Sequence, residues 1–423
     1  MQRLPRARLR RAQIASLGIF VLMGHGALAS VAWVPEYIDR LGVSFAAWGT
    51  IIGFGIFGSI TPLLFASRLI MRFGARPVIR FANYGGMAML ISLGLTTEPA
   101  IWLFLNIGFN FFMSLLGVSV NSHAVMLQKH ISKNIIGRMH AGWSIGAVGA
   151  AITGGLSTTF LPLEAFLVAV AVLTVIAFEV LLRWMLSPIE DGHVEEKAGA
   201  VKRKFYQMPS QLWLLALGLF AVVYPEVAVI DWAAVFARDV LNAEVALRSV
   251  PFAVFMVGMI VGRLSMGRLA EKMHPHHLAS RGAALAAISL GLVAIFAGLV
   301  ASFNVGLGLL VTSLLWGLAG LGLAPAAPTF FSAAGHVKGV STAWAISRLS
   351  LFNSMVSIGA KTLMGALVEG VGLSLAFFFP VILATMAAFL ADNFAKRARI
   401  SELDAAAPPT GPISIIVPPE ERE

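Results

Sequence analysis

The sequence predicts an all-α membrane protein with twelve transmembrane helices in two pseudo-symmetric six-helix bundles. Three observations carry this prediction: an apolar composition, a regular series of charge-poor segments, and a repeat of the first half in the second. Of the 423 residues, 58% are hydrophobic and 12% are charged, and the mean hydropathy is +0.84. A soluble domain carries about 25% charged residues, so this composition excludes a soluble enzyme, a disordered protein and a nucleic-acid-binding module.

The predicted helices are charge-poor segments bounded by charged clusters or by proline and glycine turns. The stretch 282–335 has no charged residue and is long enough for two helices, divided near Asn304. Five arginines precede the charge-free run 12–35, which is long enough to span a bilayer and favours an uncleaved first helix over a signal peptide. The predicted bounds are 13–36, 45–67, 78–97, 100–128, 138–160, 163–186, 210–236, 247–269, 281–302, 304–333, 339–368 and 372–395.

The distribution of Lys and Arg predicts the orientation in the membrane. With the N-terminus inside, the predicted cytoplasmic loops and helix ends hold 26 of the 31 Lys and Arg residues, Arg263 among them. The outer loops hold three, and helix 11 holds the remaining two. Because cytoplasmic loops are enriched in Lys and Arg, we expect a multi-pass protein of the bacterial inner membrane with both termini in the cytoplasm. The net charge of +10 is then expected to face anionic lipid rather than nucleic acid.

A long polar insert and an internal repeat predict how the chain is divided. Matching residues recur at an offset that grows slowly, from 199 between Trp33 and Trp232 to 205 between Gly117 and Gly322. Such a series indicates that one six-helix unit was duplicated. The predicted parts are an N-terminal bundle over 1–186, a cytoplasmic linker over 187–209, a C-terminal bundle over 210–395 and a disordered cytoplasmic tail over 396–423.

Two duplicated six-helix halves with both termini inside resemble the major facilitator superfamily. The local mark is a basic loop after helices 2 and 8, for which the family pattern reads roughly Gly-x-Leu-Ala-Asp-Arg-x-Gly-Arg-Lys. The second loop matches from Gly267 onward with Glu271 in place of the aspartate, whereas Met71 stands at the acidic position of the first. The resemblance covers about residues 12–395 and implies a gating loop built on Arg68, Arg72, Arg268 and Glu271.

Helix 5 refines the resemblance. The segment 137–144 is similar to the fifth helix of a fucose-permease-like branch whose members mostly have unknown substrates. The segment 150–155 reads Ala-Ala-Ile-Thr-Gly-Gly and lacks the proline of the Gly-Pro-x-x-Gly-Gly element of proton-driven drug antiporters, which weighs against a drug exporter. The superfamily resemblance implies alternating access, with helices 1, 4, 7 and 10 around the cavity and helices 2, 5, 8 and 11 beside them.

Polar side chains inside the predicted helices are the candidate site residues, because each costs ~2.5 kcal/mol or more unless it faces a partner or water. His25 and Glu226 fall near the midplane, and Glu226 directly follows Pro225, which should loosen the helix there. Asp231 lies farther out on the same helix. Helix 4 carries a polar stripe, and helix 11 carries a buried arginine. The predicted solute-binding residues are His25, Asn106, Asn110, Trp344 and Arg348, and the predicted proton-coupling residues are Glu226 and Asp231.

Each candidate also has a structural interpretation. His25 could bond a neighbouring backbone carbonyl, and the stripe on helix 4 could simply join two helices. Asp231 could mark the outer rim, and Arg348 could pair with Glu226 instead of binding solute. Lys361, near the outer end of helix 11, is expected to reach the membrane interface by snorkelling.

Other motifs are expected to be structural. The glycines of 53–58 fit G-x-G-x-x-G but lie within an apolar helix, which favours close helix packing over a nucleotide site. The chain has no cysteine, and the histidines of 274–277 are expected to form a basic patch rather than a metal site. We find no phosphate-binding loop and no nucleophile motif in the sequence, so we predict no enzymatic activity, no cofactor and no metal.

These observations predict a secondary active transporter that moves a small polar solute, sugar-like or another organic metabolite, by alternating access. The first hypothesis is proton-coupled uptake, that is, symport. A proton-coupled exporter of drugs or metabolites is the alternative, followed by a transporter-like sensor or a membrane-embedded enzyme. The predicted partners are the solute, protons as coupling ion and the lipid bilayer, with no nucleic acid, and we expect a monomer.

Overall fold

The computed structural model describes residues 4–131, 135–187, 190, 208–270, 272–335, 337, 340 and 342–406. Within these residues the chain is helical and contains no strand, as the predicted fold class requires. The twelve principal helices are α1 (Arg6–Leu41), α2 (Phe45–Leu64), α3 (Ala75–Leu95), α4 (Pro99–Ile131), α5 (Ile136–Ser157), α6 (Leu163–Leu182), α7 (Ser210–Asp239), α8 (Val250–Ala270), α9 (Pro275–Phe303), α10 (Val305–Gly335), α11 (Thr342–Val371) and α12 (Phe378–Ala406).

Eleven helices of the described chain are long and apolar enough to cross a membrane. The twelfth, α5, is rich in glycine and alanine, and it packs along α1 and α8 in the interior. Its small residues allow that approach: a Cβ atom on Gly146 would collide with the carbonyl oxygen of Val21. Close packing rather than hydropathy therefore stabilises α5.

The helix neighbours of the first half recur in the second. α1 packs against α4, α5 and α6, and α3 packs against α4 and α6; likewise α7 packs against α10, α11 and α12, and α9 against α10 and α12. The close crossing of α2 on α4 recurs between α8 and α10. A Cβ on Gly58 would meet the carbonyl of Ile107, and one on Gly258 would meet the carbonyl of Gly317. This symmetry supports the predicted duplication and the packing interpretation of the glycine-rich motif in α2.

The chain termini differ from the sequence prediction. α1 begins at Arg6, so arginines expected to precede the helix lie in its first turns. Arg8 folds back onto the end of α6 and donates to Glu190, with Nε–Oε1 at 3.0 Å and Nη2–Oε2 at 2.7 Å. α12 continues to Ala406, so the tail predicted from residue 396 begins as helix. Most of the predicted linker (188–189 and 191–207) and the rest of the tail (407–423) lie outside the described residues.

The contact between Arg8 and Glu190 predicts an acid-sensitive contribution to stability. The Arg8 guanidinium lowers the pKa of Glu190 to about 2, from an ordinary value of 4.5. Because the folded-state pKa is the lower one, the contribution is complete above pH 4.5 and is lost as the pH falls toward 2. The pair is partly exposed, so we expect a contribution on the order of 1 kcal/mol.

We therefore expect the melting temperature in detergent to fall more steeply between pH 5 and pH 3 for the wild type than for Glu190→Gln. The matched control is Glu98→Gln, at an exposed carboxylate, which should follow the wild type. Equal falls for wild type and Glu190→Gln would show that the pair contributes nothing measurable.

Candidate functional site

A central cavity of 980 Å³ lies between the two sets of six helices. It is lined mainly by apolar side chains of α1, α5, α7, α8 and α10, and its volume lies within the ~300–1,000 Å³ of ligand pockets. Gly137 in the first turn of α5 and Met266 in the last turns of α8 belong to the lining, so the cavity extends to the end of the bundle where α1 begins and α12 ends. Its titratable lining residues are Arg138, His140, Glu226 and Arg263.

Arg263 connects Glu226 to the opposite half of the protein. Its Nη2 lies 3.7 Å from Glu226 Oε1, and its Nη1 donates to Ser144 Oγ at 2.7 Å. Glu226 belongs to α7 and Ser144 to α5, so one guanidinium bridges a carboxylate of the second half and a hydroxyl of the first.

The sequence analysis did not identify Arg263 as a site residue, because it counted Arg263 among the basic residues at the cytoplasmic end of helix 8. The structure places it seven residues before the end of α8, facing the cavity. The sequence left open whether Arg348 pairs with Glu226, and the structure places Arg263 beside that carboxylate. The helix that carries Glu226 runs unbroken through Pro225.

An outer cavity of 270 Å³ lies toward the opposite end of the bundle, and α7 lines it as well. Asp231 of α7 pairs there with Lys361 of α11, with Nζ–Oδ2 at 2.7 Å. Their side chains are 15% and 16% exposed. Lys361 therefore binds a partly buried carboxylate instead of snorkelling to the interface, and Asp231 is not a rim residue.

Asn106 and Asn110 line the outer cavity and also join α4 to α2. Asn106 Nδ2 donates to the carbonyl of Ile51 at 3.2 Å, and Asn110 Oδ1 accepts from Ser59 Oγ at 3.4 Å. Asn110 Nδ2 donates to the carbonyl of Asn106 at 2.8 Å. These two residues of the predicted polar stripe therefore do both things that the sequence allowed: they join two helices and they line a cavity.

The other predicted solute residues lie elsewhere, in contacts with neighbouring side chains. His25 Nε2 lies 3.0 Å from Thr153 Oγ1 on α5, which makes it an α1–α5 contact in this conformation. The Arg348 guanidinium lies over the ring of Trp344 at 5.4 Å, an arrangement that favours a cation–π interaction. None of these three predicted residues is among the described residues that line either cavity.

The predicted gating loop is described only in its first copy. Arg68 and Arg72 are exposed on the short helix Ala66–Phe73 that follows α2, and Arg72 lies 5.2 Å from the ring of Phe73. Glu271 and the side chain of Arg268 lie outside the described residues.

Contacts between the two halves close the opposite end of the bundle, where α1 ends and α2 begins. Arg238 of α7 donates to Asp39 Oδ2 of α1 at 2.9 Å. Ser249, just before α8, donates to the carbonyl of Ala151 in α5 at 2.8 Å, and Glu369 of α11 accepts from the backbone N–H of Phe45 in α2 at 2.9 Å. The central cavity is therefore open at the end where α1 begins and closed at the end where α2 begins.

The chain belongs to the major facilitator superfamily, whose family model matches residues 15–360. It is 28% identical over 368 residues to an uncharacterised transporter of Sinorhizobium fredii, covering 85% of this chain and 91% of that protein. It is 24% identical over 380 residues to an uncharacterised MFS-type transporter of Yersinia pestis, covering 89% and 94% respectively. The superfamily comprises membrane transport proteins, so this multi-pass protein belongs to a class of transporters and not to a class of enzymes.

Solved transporter structures share the fold. The chain matches a bacterial homologue of the human lysosomal transporter Spinster in its inward-facing, unoccupied conformation, with a TM-score of 0.71, 16% identity and 93% and 99% of the two chains covered. It matches the nucleoside transporter NupG with a TM-score of 0.64, 16% identity and 92% and 98% coverage. At these identities the likeness concerns the fold alone and carries no solute across.

Proposed function

We propose that this protein takes up a small polar organic metabolite together with a proton, by alternating access across the bacterial inner membrane. The observation that carries the proposal is the contact of Arg263 with both Glu226 and Ser144 in the wall of the central cavity. In this proposal Arg263 is the cation that binds the solute, and the neighbouring Glu226 is the carboxylate that carries the proton. It also ties both to the opposite half, which has to move during alternating access.

Competition for Arg263 supplies a coupling mechanism. A carboxylate removed from water is costly when charged unless a cation pairs with it. Protonation neutralises Glu226 and therefore releases Arg263 from the ion pair. Arg263 can then bind an anionic or hydrogen-bond-accepting group of the solute. Loss of the proton restores the ion pair and displaces the solute. In this scheme solute and proton bind together and leave together, as symport requires.

The charge distribution supports the orientation. The predicted cytoplasmic side carries the great majority of Lys and Arg, which is the pattern of membrane proteins with those loops inside. On this assignment both termini are cytoplasmic, and the structure corresponds to the inward-facing state. The outer contacts then separate the central cavity from the outside.

The orientation predicts the outcome of labelling with an impermeant thiol reagent. The chain has no native cysteine, so Gly192→Cys, in the part of the linker outside the described residues, provides a single label site. We expect no labelling when the reagent is added to intact cells, and labelling in inside-out vesicles. Labelling at Gly192→Cys from outside intact cells would reverse the proposed orientation.

The remaining predicted residues keep their proposed roles in other conformations of the cycle. His25, Asn106, Asn110, Trp344 and Arg348 are proposed solute residues, and Asp231 is a second proton site. The basic loops after α2 and α8 are proposed to gate the cytoplasmic side. We propose that one chain is the functional unit, because each half supplies part of the central cavity.

Export is the second candidate, and the apolar part of the cavity lining favours it. Met23, Met259 and Phe331 would suit an apolar drug-like solute better than a sugar. The same proton site would then drive efflux. The direction of gradient-driven movement separates the two candidates.

The test begins with a thermal-shift screen of purified protein against sugars, carboxylates and amides, because a solute that binds the folded state raises its melting temperature. A stabilising solute is then supplied outside proteoliposomes in which the protein has the same orientation as in the cell. Uptake predicts accumulation when the outside is acidic. If the same inward proton gradient instead drives preloaded solute out of the vesicles, the protein is a proton-coupled exporter. If the gradient has no effect on solute movement, proton coupling is refuted.

A further inference from the structure

The outer cavity contains a cluster of buried hydrogen-bond donors. Tyr37, Trp48 and Trp102 line it and pack together, with ring centroids of the two indoles 4.9 Å apart and Tyr37 5.5 Å from Trp102. The three side chains are only 2–4% exposed, yet Tyr37 Oη and both indole Nε1 atoms have no hydrogen-bond partner among the described residues. These donor atoms have almost no accessible surface, so they lie inside the cluster, and the cluster gives the cavity an aromatic wall.

The charged pair of the cavity favours a ligand that accepts hydrogen bonds. Lys361 supplies the cation of the described lining, and Asp231 supplies its carboxylate. Asp231 Oδ2 already lies at 2.7 Å from Lys361 Nζ, and the indoles donate but cannot accept hydrogen bonds. A second carboxylate could take the place of Asp231 beside Lys361, with its body against the aromatic wall.

The size and the remaining lining define the rest of the ligand. Val31, Ile52, Ile56, Phe109 and Ile230 give the cavity an apolar side. Its volume of 270 Å³ lies just below the ~300–1,000 Å³ of pockets for drug-sized ligands. A small carboxylate with an apolar or aromatic body matches both sides of such a cavity, because a ring can pack against the aromatic side chains.

The position of the cavity connects it to the transport path. Asp231 follows Glu226 by five residues on α7, so one helix presents an acid to each of the two cavities. The outer cavity lies between the central cavity and the end that Arg238 and Asp39 close. A solute that crosses the protein along α7 would meet the two ion pairs one after the other.

We propose that the outer cavity is a second solute-binding site, selective for a small organic carboxylate that competes with Asp231 for Lys361. The site extends the proposed function by placing an outer station in series with the central cavity. It is nevertheless a statement about binding, so it is tested in detergent without any gradient. A failure of proton-driven uptake leaves this binding test unaffected, and the reverse also holds.

Benzoate is the probe, and benzamide, which has the same shape without the charge, is its control. We expect benzoate to raise the melting temperature of purified wild-type protein and benzamide to leave it unchanged. Asp231→Asn removes the competing carboxylate and leaves Lys361 to the probe. This variant should bind benzoate at least tenfold more tightly than the wild type and show a larger thermal shift.

Two double variants locate the binding site. Asp231→Asn with Lys361→Met removes both charges of the outer pair, strands neither of them, and should abolish the response to benzoate. Glu226→Gln with Arg263→Met makes the matched change in the central cavity and should retain the response. The proposal is overturned if benzoate stabilises neither the wild type nor Asp231→Asn. It is also overturned if the response is lost in the central double variant and kept in the outer one.

Discussion

Glu226→Gln should abolish the accumulation of solute under a proton gradient while solute exchange across the membrane continues. Glutamine keeps the shape of the side chain but cannot take up or release a proton. It therefore mimics the protonated form of Glu226 throughout the transport cycle. Arg263 then lacks its ionic partner in every step and remains available to the solute. We expect the gradient-driven rate to fall at least about tenfold, the equivalent of about 1.4 kcal/mol, with exchange changed far less.

The measurement is the accumulation of the stabilising solute in proteoliposomes, alongside exchange of labelled against unlabelled solute. Glu179→Gln is the matched control, because Glu179 pairs with Arg80 between α6 and α3 and lines neither of the two cavities. It should accumulate solute as the wild type does. If Glu226→Gln also accumulates solute at the wild-type rate, Glu226 is not the proton carrier, and Asp231 is the next carboxylate to test.

Lys361→Met should destabilise the protein by about 3–5 kcal/mol, the usual cost of removing one partner of a buried ion pair. The substitution leaves the carboxylate of Asp231, which is 15% exposed, without a cation in a cavity with a mainly apolar lining. Adding Asp231→Asn removes the stranded charge, so the double variant should recover most of the lost stability. The measurement is the melting temperature of the wild type, both single variants and the double variant in the same detergent.

A surface pair provides the comparison. Arg80 and Glu179 lie 2.7 Å apart, but the arginine side chain is 45% exposed. Arg80→Met should therefore cost no more than about 1 kcal/mol. If Lys361→Met is as mild as Arg80→Met, or if the double variant is less stable than either single one, water solvates the Asp231–Lys361 pair and it is not a buried pair. If Lys361→Met does not yield folded protein and the double variant does, the loss and recovery of stability are still observed, and the prediction is confirmed.

The fold could be predicted because a bilayer imposes strong constraints on sequence. A spanning segment has to be apolar and to satisfy its backbone hydrogen bonds within a helix. Charge-free stretches and clusters of Lys and Arg therefore mark the helices and their order, even across 282–335, which the structure divides at Asn304 between α9 and α10. The helix ends were less predictable, since α1 and α12 continue beyond the apolar segments into charged ones.

A residue of the candidate site could be predicted only where its own position in the sequence was unusual. Glu226 stood out as an acid within an apolar helix, and it does line the central cavity. Arg263 and Lys361 did not stand out, because a long basic side chain near a helix end usually reaches the interface. Whether such a side chain turns outward or inward depends on which acid a neighbouring helix presents. That depends on the packing of α7 against α8 and α11, which the sequence alone does not give.

The central claim, that the cavity beside Glu226 opens alternately to the two sides of the membrane, is tested most directly by a single cysteine within it. Ala327 of α10 lines this cavity, and the chain has no native cysteine. We predict that an impermeant thiol reagent labels Ala327→Cys rapidly in inside-out vesicles and slowly from outside intact cells. The outside rate should increase when Arg238→Gln removes the contact with Asp39 that helps to close the outer end. Labelling from the cytoplasmic side alone, unchanged by Arg238→Gln, would contradict alternating access.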